Sequence, residues 1–238
     1  MLFALILPLL AGALINLDRR AFAQTMVSRP LPTGAIVGYL AGLPLQGLSL
    51  GLWSELLWFW TLPVGGTHTP NPGIAVSAAL ISLKLFSFFP HRGIPLDALL
   101  PIAFLLVPII GYSFILVDKL NRIQAERTLH GLEQALEGVS PPPEGISFFR
   151  ANLQGLVQTF TASLAFLVLG SLLMYLVLSL FAITLPGTIW GTSLKFAPYA
   201  PLIPFLGIAA SLSRGALPPY LLGLLTGLVA LGLMRFFS

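Results

Sequence analysis

The sequence predicts an all-α protein that crosses a membrane several times. Three observations predict this class: 56% of the 238 residues are hydrophobic, only 8% are charged, and the mean hydropathy is +0.93. A water-soluble domain of this size carries about a quarter charged residues. Because a helix needs about 20 apolar residues to cross a hydrocarbon core about 30 Å thick, the chain has room for about six to nine membrane segments.

Apolar stretches follow one another along most of the chain. The first, which ends at Leu17, is interpreted as a retained helix, because no basic residue precedes it as a signal peptide requires. Three of the others are interrupted or bounded by Gly and Pro, which is typical of re-entrant or discontinuous helices in transporters; they lie at 31–43, 46–62 and 196–212. The remaining stretches cover 74–89, 94–117, 163–185 and 216–234.

Charged residues concentrate in one part of the sequence. Nine of them lie between Asp118 and Arg150, which predicts the one sizeable segment that lies in water. Residues 118–139 have the spacing of an amphipathic helix that ends at Gly138, before three prolines. Its apolar face either docks a soluble partner or packs on the membrane domain. The sequence is therefore divided into a membrane half at 1–117, a cytoplasmic connector at 118–150 and a second membrane half at 151–238.

The basic residues and the missing residue types narrow the class of function. A net charge of +4 fits basic cytoplasmic loops, which places the connector, Arg29 and Arg214 on the cytoplasmic side. No basic stripe with interleaved aromatics occurs, so nucleic-acid binding is not expected. The sequence has no cysteine, and its three histidines are not clustered. We therefore expect no metal or other cofactor, and no motif predicts covalent catalysis by this chain alone.

Two Ser-Arg pairs indicate an internal repeat. Ser28-Arg29 and Ser213-Arg214 each open an apolar stretch that contains Gly-x-x-x-Gly, and further glycines match at the same offset. A duplication of this kind in a transporter predicts an inverted repeat, with the binding site between the two halves. Chance matches in a sequence rich in Gly and Leu are the alternative explanation.

Glu55 is the most informative single residue. It lies in the run 47–60, which contains no other charge, and a carboxylate in such a run is unfavourable unless it faces a cavity or a partner. It is either part of a binding site or a glutamate that holds helices together by pairing with Arg29 or Lys84. Three tryptophans in the same run, Trp53, Trp58 and Trp60, are suited to stacking on a sugar ring, although tryptophan is also an ordinary anchor at the membrane interface.

A polar loop follows the tryptophans. It runs from Thr67 to Gly73, after the sequence Pro-Val-Gly-Gly at 63–66. Its prolines and glycines keep the backbone out of a regular helix, which leaves N–H and C=O groups for a ligand. Asn71 in this loop offers both a donor and an acceptor. A plain turn is the alternative interpretation.

The order of these motifs resembles a known family. The segment 17–31 (LDRRAFAQTMVSRPL), then Gly38, Gly47, Gly51, Glu55 and the Pro-Val-Gly of 63–65, resemble the IIC membrane subunit of the mannose/fructose/sorbose family of the bacterial phosphotransferase system. The similarity is specific over about residues 14–80. Such a resemblance implies a channel-forming subunit that pairs with a IID membrane subunit, forms a trimer of IIC–IID pairs and moves as an elevator. It also implies cytoplasmic IIA and IIB partners, with the sugar phosphorylated from a phosphohistidine on IIB.

The family's functional residues carry over one by one. Its intramembrane glutamate falls on Glu55, and the acid of its early Asp-x-x-Ala segment falls on Asp18. Its Pro-Asp pair falls on Pro70-Asn71, so an amide replaces a carboxylate. Asn71 can still bond to sugar hydroxyls, but it cannot act as a charged acceptor or as a general base.

We therefore expect a multi-pass sugar permease subunit of the bacterial inner membrane. The residues expected to line the sugar site are Glu55, Asn71, Thr67, His68 and Gln24. Structural or gating roles are expected for Asp18, Arg29 and Arg214. The alternatives are a regulatory or scaffold relative that has lost transport, as the amide at Asn71 suggests, and an unrelated small-solute channel.

Overall fold

The protein is all-helical throughout the part of the chain that the structure describes. The computed structural model describes residues 3–19, 25–58, 69–89, 93–136 and 148–200. In chain order the α-helices are α1 (Phe3–Asp18), α2 (Pro30–Leu40), α3 (Pro44–Leu57), α4 (Pro72–Phe88), α5 (Leu96–Leu136), α6 (Phe148–Thr184) and α7 (Gly187–Phe196), followed by a 3-10 turn at Ala197–Tyr199. These ranges contain no strand, which confirms the all-α class; the number of membrane segments, the inverted repeat and the elevator movement stay predictions.

Two of these helices are long and apolar enough to cross a membrane. The segments with this property are Leu96–Gly131 in α5 and Ala151–Thr184 in α6. With 41 residues, α5 is about 60 Å long, twice the thickness of the hydrocarbon core. After Asp97 in its first turn, α5 has no charged residue until Asp118, so a crossing by the apolar part leaves 118–136 projecting into water. The helix is continuous across 117/118, where the sequence suggested a boundary, and the end expected at Gly138 lies outside the described residues.

The projecting end of α5 pairs with the first turns of α6. The side-chain amide of Gln158 donates to Asn121 Oδ1 at 3.4 Å and also to Gln124 Oε1. Leu129, on the apolar side of the predicted amphipathic helix, is 57% exposed. At this position the apolar side is therefore not packed against the membrane helices.

This projection is testable because the natural sequence has no cysteine. In membranes, a Glu133→Cys variant is expected to react with a membrane-impermeant maleimide, because Glu133 lies on the projecting end of α5. A Leu172→Cys variant is the matched control: Leu172 is 45% exposed in the fold, but it lies in the apolar part of α6, which is expected to face lipid. If the maleimide labels the two cysteines at equal rates in membranes, the placement of α5 and α6 in the bilayer is contradicted.

Helix α4 lies at the centre of the bundle. It packs against α1, α2, α3, α5 and α6, and all of its residues from Gly73 to Leu83 are buried. Close approach to α1 needs a small residue: a Cβ on Gly12 would lie 3.0 Å from Ser77 Oγ. Buried serines in α4 bond back to carbonyls of their own helix, Ser77 to Gly73 and Ser82 to Ala79. The central helix therefore presents an almost wholly apolar surface to its neighbours.

Helices α2 and α3 form a tightly packed hairpin. A Cβ added to Gly34 would lie 2.4 Å from the carbonyl oxygen of Gly47, and one added to Gly47 would lie 2.3 Å from that of Gly34. The two backbones are thus in direct contact, as in Gly-x-x-x-Gly helix pairs in membranes. With 11 and 14 residues, the helices are about 16 and 21 Å long, too short for either to cross a 30 Å core. A membrane placement therefore makes this hairpin re-entrant.

Proline and glycine define the ends of the hairpin helices. Pro30, Pro44 and Pro72 begin α2, α3 and α4, at the position where a missing N–H leaves no intrahelical bond unmade. At the tip, Gly42 adopts φ +71°, and Leu43 N–H donates to the Gly38 carbonyl at 2.8 Å. Together with the bond from Gly42 N–H to the Tyr39 carbonyl, this is a Schellman motif that ends α2 and turns the chain into α3.

Candidate functional site

Glu55 lies at the base of the hairpin, the end where α2 begins and α3 ends, and it joins the two helices there. Its Oε1 lies 3.1 Å from Nε of Arg29, and its Oε2 accepts a hydrogen bond from Leu31 N–H at 3.2 Å. Of the two partners considered from the sequence, Arg29 is thus the one in contact, whereas the Lys84 ammonium lies over the ring of Phe88, 5.1 Å from its centroid. The Glu55 side chain is 21% exposed and that of Arg29 is 52% exposed, so the ion pair is accessible from outside the fold.

The first turn of α2 has no backbone donor left for a ligand. Pro30 and Pro32 carry no N–H, Leu31 N–H goes to Glu55, and Thr33 N–H goes to the Arg29 carbonyl at 3.0 Å. Glu55 therefore caps α2 from the neighbouring helix, where the positive end of the helix dipole favours a carboxylate. An incoming ligand meets side chains here rather than backbone N–H groups.

Asp18 shapes the segment that leads into α2. One carboxylate oxygen accepts from Thr25 N–H at 2.7 Å and from the Thr25 hydroxyl at 2.8 Å, and the other accepts from Ser28 N–H at 3.3 Å. The carboxylate is 8% exposed and its bonds are made within the chain. These bonds hold the segment that leads to Arg29 and its ion pair with Glu55; the structural or gating role expected for Asp18 stays a prediction.

Arg19 holds the residues that precede α4. Its Nη2 donates to the carbonyl oxygens of Thr69 and Pro70 at 3.2 and 3.0 Å and to the Thr69 hydroxyl at 2.5 Å. The end of α1 is thereby tied to the loop that contains Asn71. Neighbouring residues Asp18 and Arg19 thus position the entries of two helices, α2 and α4.

Asn71 lies at the centre of a buried network of neutral polar groups. Its Oδ1 accepts from Ile74 N–H at 3.2 Å, which caps α4, and its Nδ2 donates to Asn16 Oδ1 at 2.6 Å. Asn16 Nδ2 donates to the Ser163 hydroxyl at 2.7 Å, and Ser163 donates to the Thr159 carbonyl at 2.6 Å. Asn71, Asn16 and Ser163 are 1%, 6% and 0% exposed. The network joins α1, α4 and α6.

Helix α5 and Trp58 complete the surroundings of Asn71. The backbone N–H of Asn71 donates to the Gly111 carbonyl at 3.1 Å. A Cβ on Gly111 would lie 3.2 Å from the Trp58 ring and 3.4 Å from the Asn71 carbonyl oxygen, so the indole lies beside Asn71. Trp53 packs edge-on against Phe104, with ring centroids 5.6 Å apart. Both of these tryptophans are buried against α5, and Trp60 lies outside the described residues.

Three described residues of the predicted site, Glu55, Arg29 and Asp18, are linked through the segment that leads into α2, and the fourth, Asn71, lies in the buried network at the start of α4. The base of the hairpin brings Glu55 to Arg29, the carboxylate of Asp18 supports the same segment, and Asn71 lies at the start of α4. Four residues expected from the sequence lie outside the described part of the chain: Gln24, Thr67, His68 and Arg214. Their contribution stays a prediction.

Sequence reasoning missed Asn16, Arg19 and Ser163. Asn16 carried a usable signal, because it is the only amide in the apolar stretch that forms α1. No sequence signal pointed to Ser163, because nothing distinguishes it from the other serines of α6. Its hydrogen bond to Asn16 joins residues that are 147 positions apart in the sequence. The arrangement contains one accessible carboxylate, together with two amides and an indole that are buried; all of these are groups that bind hydroxyl-rich ligands.

No protein-family model matches the chain, and no curated protein matches its sequence. The assignment of a function therefore rests on the site itself and on the resemblance over residues 14–80.

Proposed function

We propose that the chain is a membrane-embedded IIC permease subunit of a mannose-family phosphotransferase system. In this role it carries a sugar across the bacterial inner membrane while partner subunits phosphorylate it. The chain supplies binding and translocation and performs no catalysis alone. Its partners are a IID membrane subunit and cytoplasmic IIA and IIB phosphocarriers, with the assembly a trimer of IIC–IID pairs that moves as an elevator.

The observation that carries this proposal is the partly exposed carboxylate of Glu55 in a hairpin too short to cross a membrane. Arg29 and Leu31 N–H hold the carboxylate in place, and an ionised carboxylate accepts more hydrogen bonds than these two. Short broken helices that meet inside the membrane are where transporters place their substrate sites. An oriented carboxylate with spare acceptor capacity suits a sugar hydroxyl.

A second observation supports the same function. Two residues that carry the family resemblance but lie in different parts of the sequence meet here: Arg29, in the segment 17–31, pairs with Glu55 of α3. Asp18 holds the same segment through its bond to Ser28 N–H, and the α4 residue Gly73, which lies outside the matching motifs, packs on the Ser28 carbonyl. A Cβ on Gly73 would lie 2.5 Å from that carbonyl oxygen. These residues form one local unit, as expected if they serve one site.

Asn71 favours a second candidate function, a regulatory or scaffold relative without transport. Its side chain is 1% exposed, and both its oxygen and its nitrogen bond within the chain. In this alternative the network around Asn71 only holds helices together, and partner binding persists without sugar accumulation.

Uptake in cells separates the candidates. Co-expression with a matched IID subunit and the phosphocarriers is expected to give accumulation of a labelled hexose from a panel of mannose, fructose and sorbose. Omitting the phosphocarriers is expected to abolish accumulation; flux that persists without them indicates a small-solute channel. Partner binding without accumulation of any sugar in the panel would contradict the transport function and support the scaffold alternative.

A further inference from the structure

The hydrogen bonds around Asn71 are consistent with only one assignment of donors and acceptors. Ile74 N–H must be accepted by the oxygen of the Asn71 side chain, because a nitrogen there would face another donor. The amide nitrogen of Asn71 therefore points at Asn16, which must present its own oxygen. Asn16 then presents its nitrogen to Ser163, whose hydroxyl donates onward to the Thr159 carbonyl. The bond from Ile74 N–H thus determines which end of the Asn71 amide is the oxygen, and Asn16 is the group that holds the nitrogen end.

The second hydrogen on the side-chain nitrogen of Asn71 has no hydrogen-bond acceptor within the described residues. An amide nitrogen carries two hydrogens, and within the described residues Asn71 Nδ2 makes a single hydrogen bond, the one to Asn16. Asn71 is 1% exposed, so a ligand reaches the second hydrogen only after the surrounding helices separate. If Asn71 binds sugar, its orientation has to be held by its other partners, and Asn16 is the only side chain that bonds to its nitrogen in this part of the chain.

We propose that Asn16 is a positioning residue, which orients the Asn71 amide so that its second hydrogen is available to a sugar hydroxyl. This inference rests on the proposed function. Because the Asn71 amide donates to the Asn16 amide, the two residues together determine which hydrogen-bonding group faces a ligand. Ser163 supports the pair by accepting the hydrogen bond from Asn16.

Substitutions at Asn16 distinguish a role in orienting the Asn71 amide from a role in packing alone. Asn16→Leu removes the acceptor and leaves the Asn71 N–H buried without a partner, which is unfavourable. Asn16→Asp keeps an oxygen facing Asn71, and as the neutral acid, the form that a buried site without a cation favours, it donates its O–H to the Ser163 hydroxyl as the Asn16 amide does. Asn16→Asp should therefore recover what Asn16→Leu loses. Asn152→Leu is the matched control, because Asn152 is an exposed asparagine of α6.

Thermal unfolding of the full chain in detergent tests the contact itself. Asn16→Leu is expected to lower Tm by about 4–8 °C, which corresponds to one orphaned buried amide in a chain of this size. In an Asn71→Ser background the same change is expected to lower Tm by less than half as much, because serine still caps α4 but has no amide to orphan. Equal shifts in both backgrounds would overturn the proposed contact.

Uptake kinetics test the positioning role. With the co-expressed partners, Asn16→Leu is expected to raise the apparent KM for the sugar about tenfold, the effect of one misplaced hydrogen bond. The maximal rate per folded protein should change much less, Asn16→Asp should return the KM toward that of the parent, and Asn152→Leu should leave it unaltered. An unchanged KM with a maximal rate that falls in step with folded protein would make Asn16 purely structural and overturn the proposal.

The failure of this inference is distinguishable from that of the proposed function. If Glu55→Gln abolishes uptake and Asn16→Leu leaves the KM unchanged, the permease assignment stands and the role of Asn16 is refuted. If the parent chain accumulates no sugar with its partners, the permease assignment fails, and with it the positioning role of Asn16, whatever the unfolding data show.

Discussion

Replacing Glu55 by glutamine is expected to lower sugar uptake at least about a hundredfold, because charge-assisted hydrogen bonds to the ligand and to Arg29 are weakened together. The chain is expected to remain folded. Glutamine keeps an acceptor for Leu31 N–H, and an ion pair in which Arg29 is 52% exposed contributes only about 0–1 kcal/mol to stability. The Tm in detergent should therefore fall by less than about 4 °C.

This combination of results separates the two roles considered for Glu55. A glutamate that only holds helices together would lose stability and uptake in proportion, whereas a binding residue loses uptake with little change in stability. Glu126→Gln is the matched control, because Glu126 is exposed on the projecting end of α5, away from the hairpin. Unimpaired uptake by Glu55→Gln would remove Glu55 from the sugar site.

The second large effect is expected from Gly47→Ala in the hairpin. In most helices this change is favourable by about 0.5–1 kcal/mol, because alanine restricts the unfolded chain. Here the new Cβ would lie 2.3 Å from the Gly34 carbonyl oxygen and 2.7 Å from the Gly38 Cα, and both obstacles are backbone. The helices have to separate, so we expect destabilisation of about 1–3 kcal/mol or more.

Gly131→Ala provides the comparison within the same chain. Gly131 lies in α5, and a Cβ there would meet nothing within 4 Å. The expected result is a Tm equal to or slightly above that of the parent, against a drop of several degrees for Gly47→Ala, measured in the same detergent. Equal Tm values for the two variants would contradict the contact between the α2 and α3 backbones.

The sequence predicted those features of the site that depend on local patterns. Gly and Pro in and around short apolar stretches predicted broken helices, and the structure has the short helices α2 and α3 in that part of the chain, each begun by a proline. Pairing of Glu55 with Arg29 was one of two options, because a charge in an apolar run needs a partner and only a few were available.

Other features could not be predicted from the sequence. The bond between Asn16 and Ser163 joins helices 147 positions apart, and no local pattern specifies which faces of α1 and α6 meet. Continuity of α5 through Asp118 was also missed, because the change from apolar to polar residues marks where water begins and does not end a helix. Trp53 and Trp58 are buried against α5, which composition could not distinguish from an interfacial position.

The most direct test of the central claim is the chemical form of the sugar that enters the cell. Labelled hexose is supplied to cells that carry the chain, a matched IID subunit and the phosphocarriers, and the intracellular label is separated into free sugar and phosphate ester. The permease assignment predicts that the label accumulates as the phosphate ester in cells with the parent chain and not in cells with Glu55→Gln. Equal entry of free sugar with both chains, independent of the phosphocarriers, would contradict it.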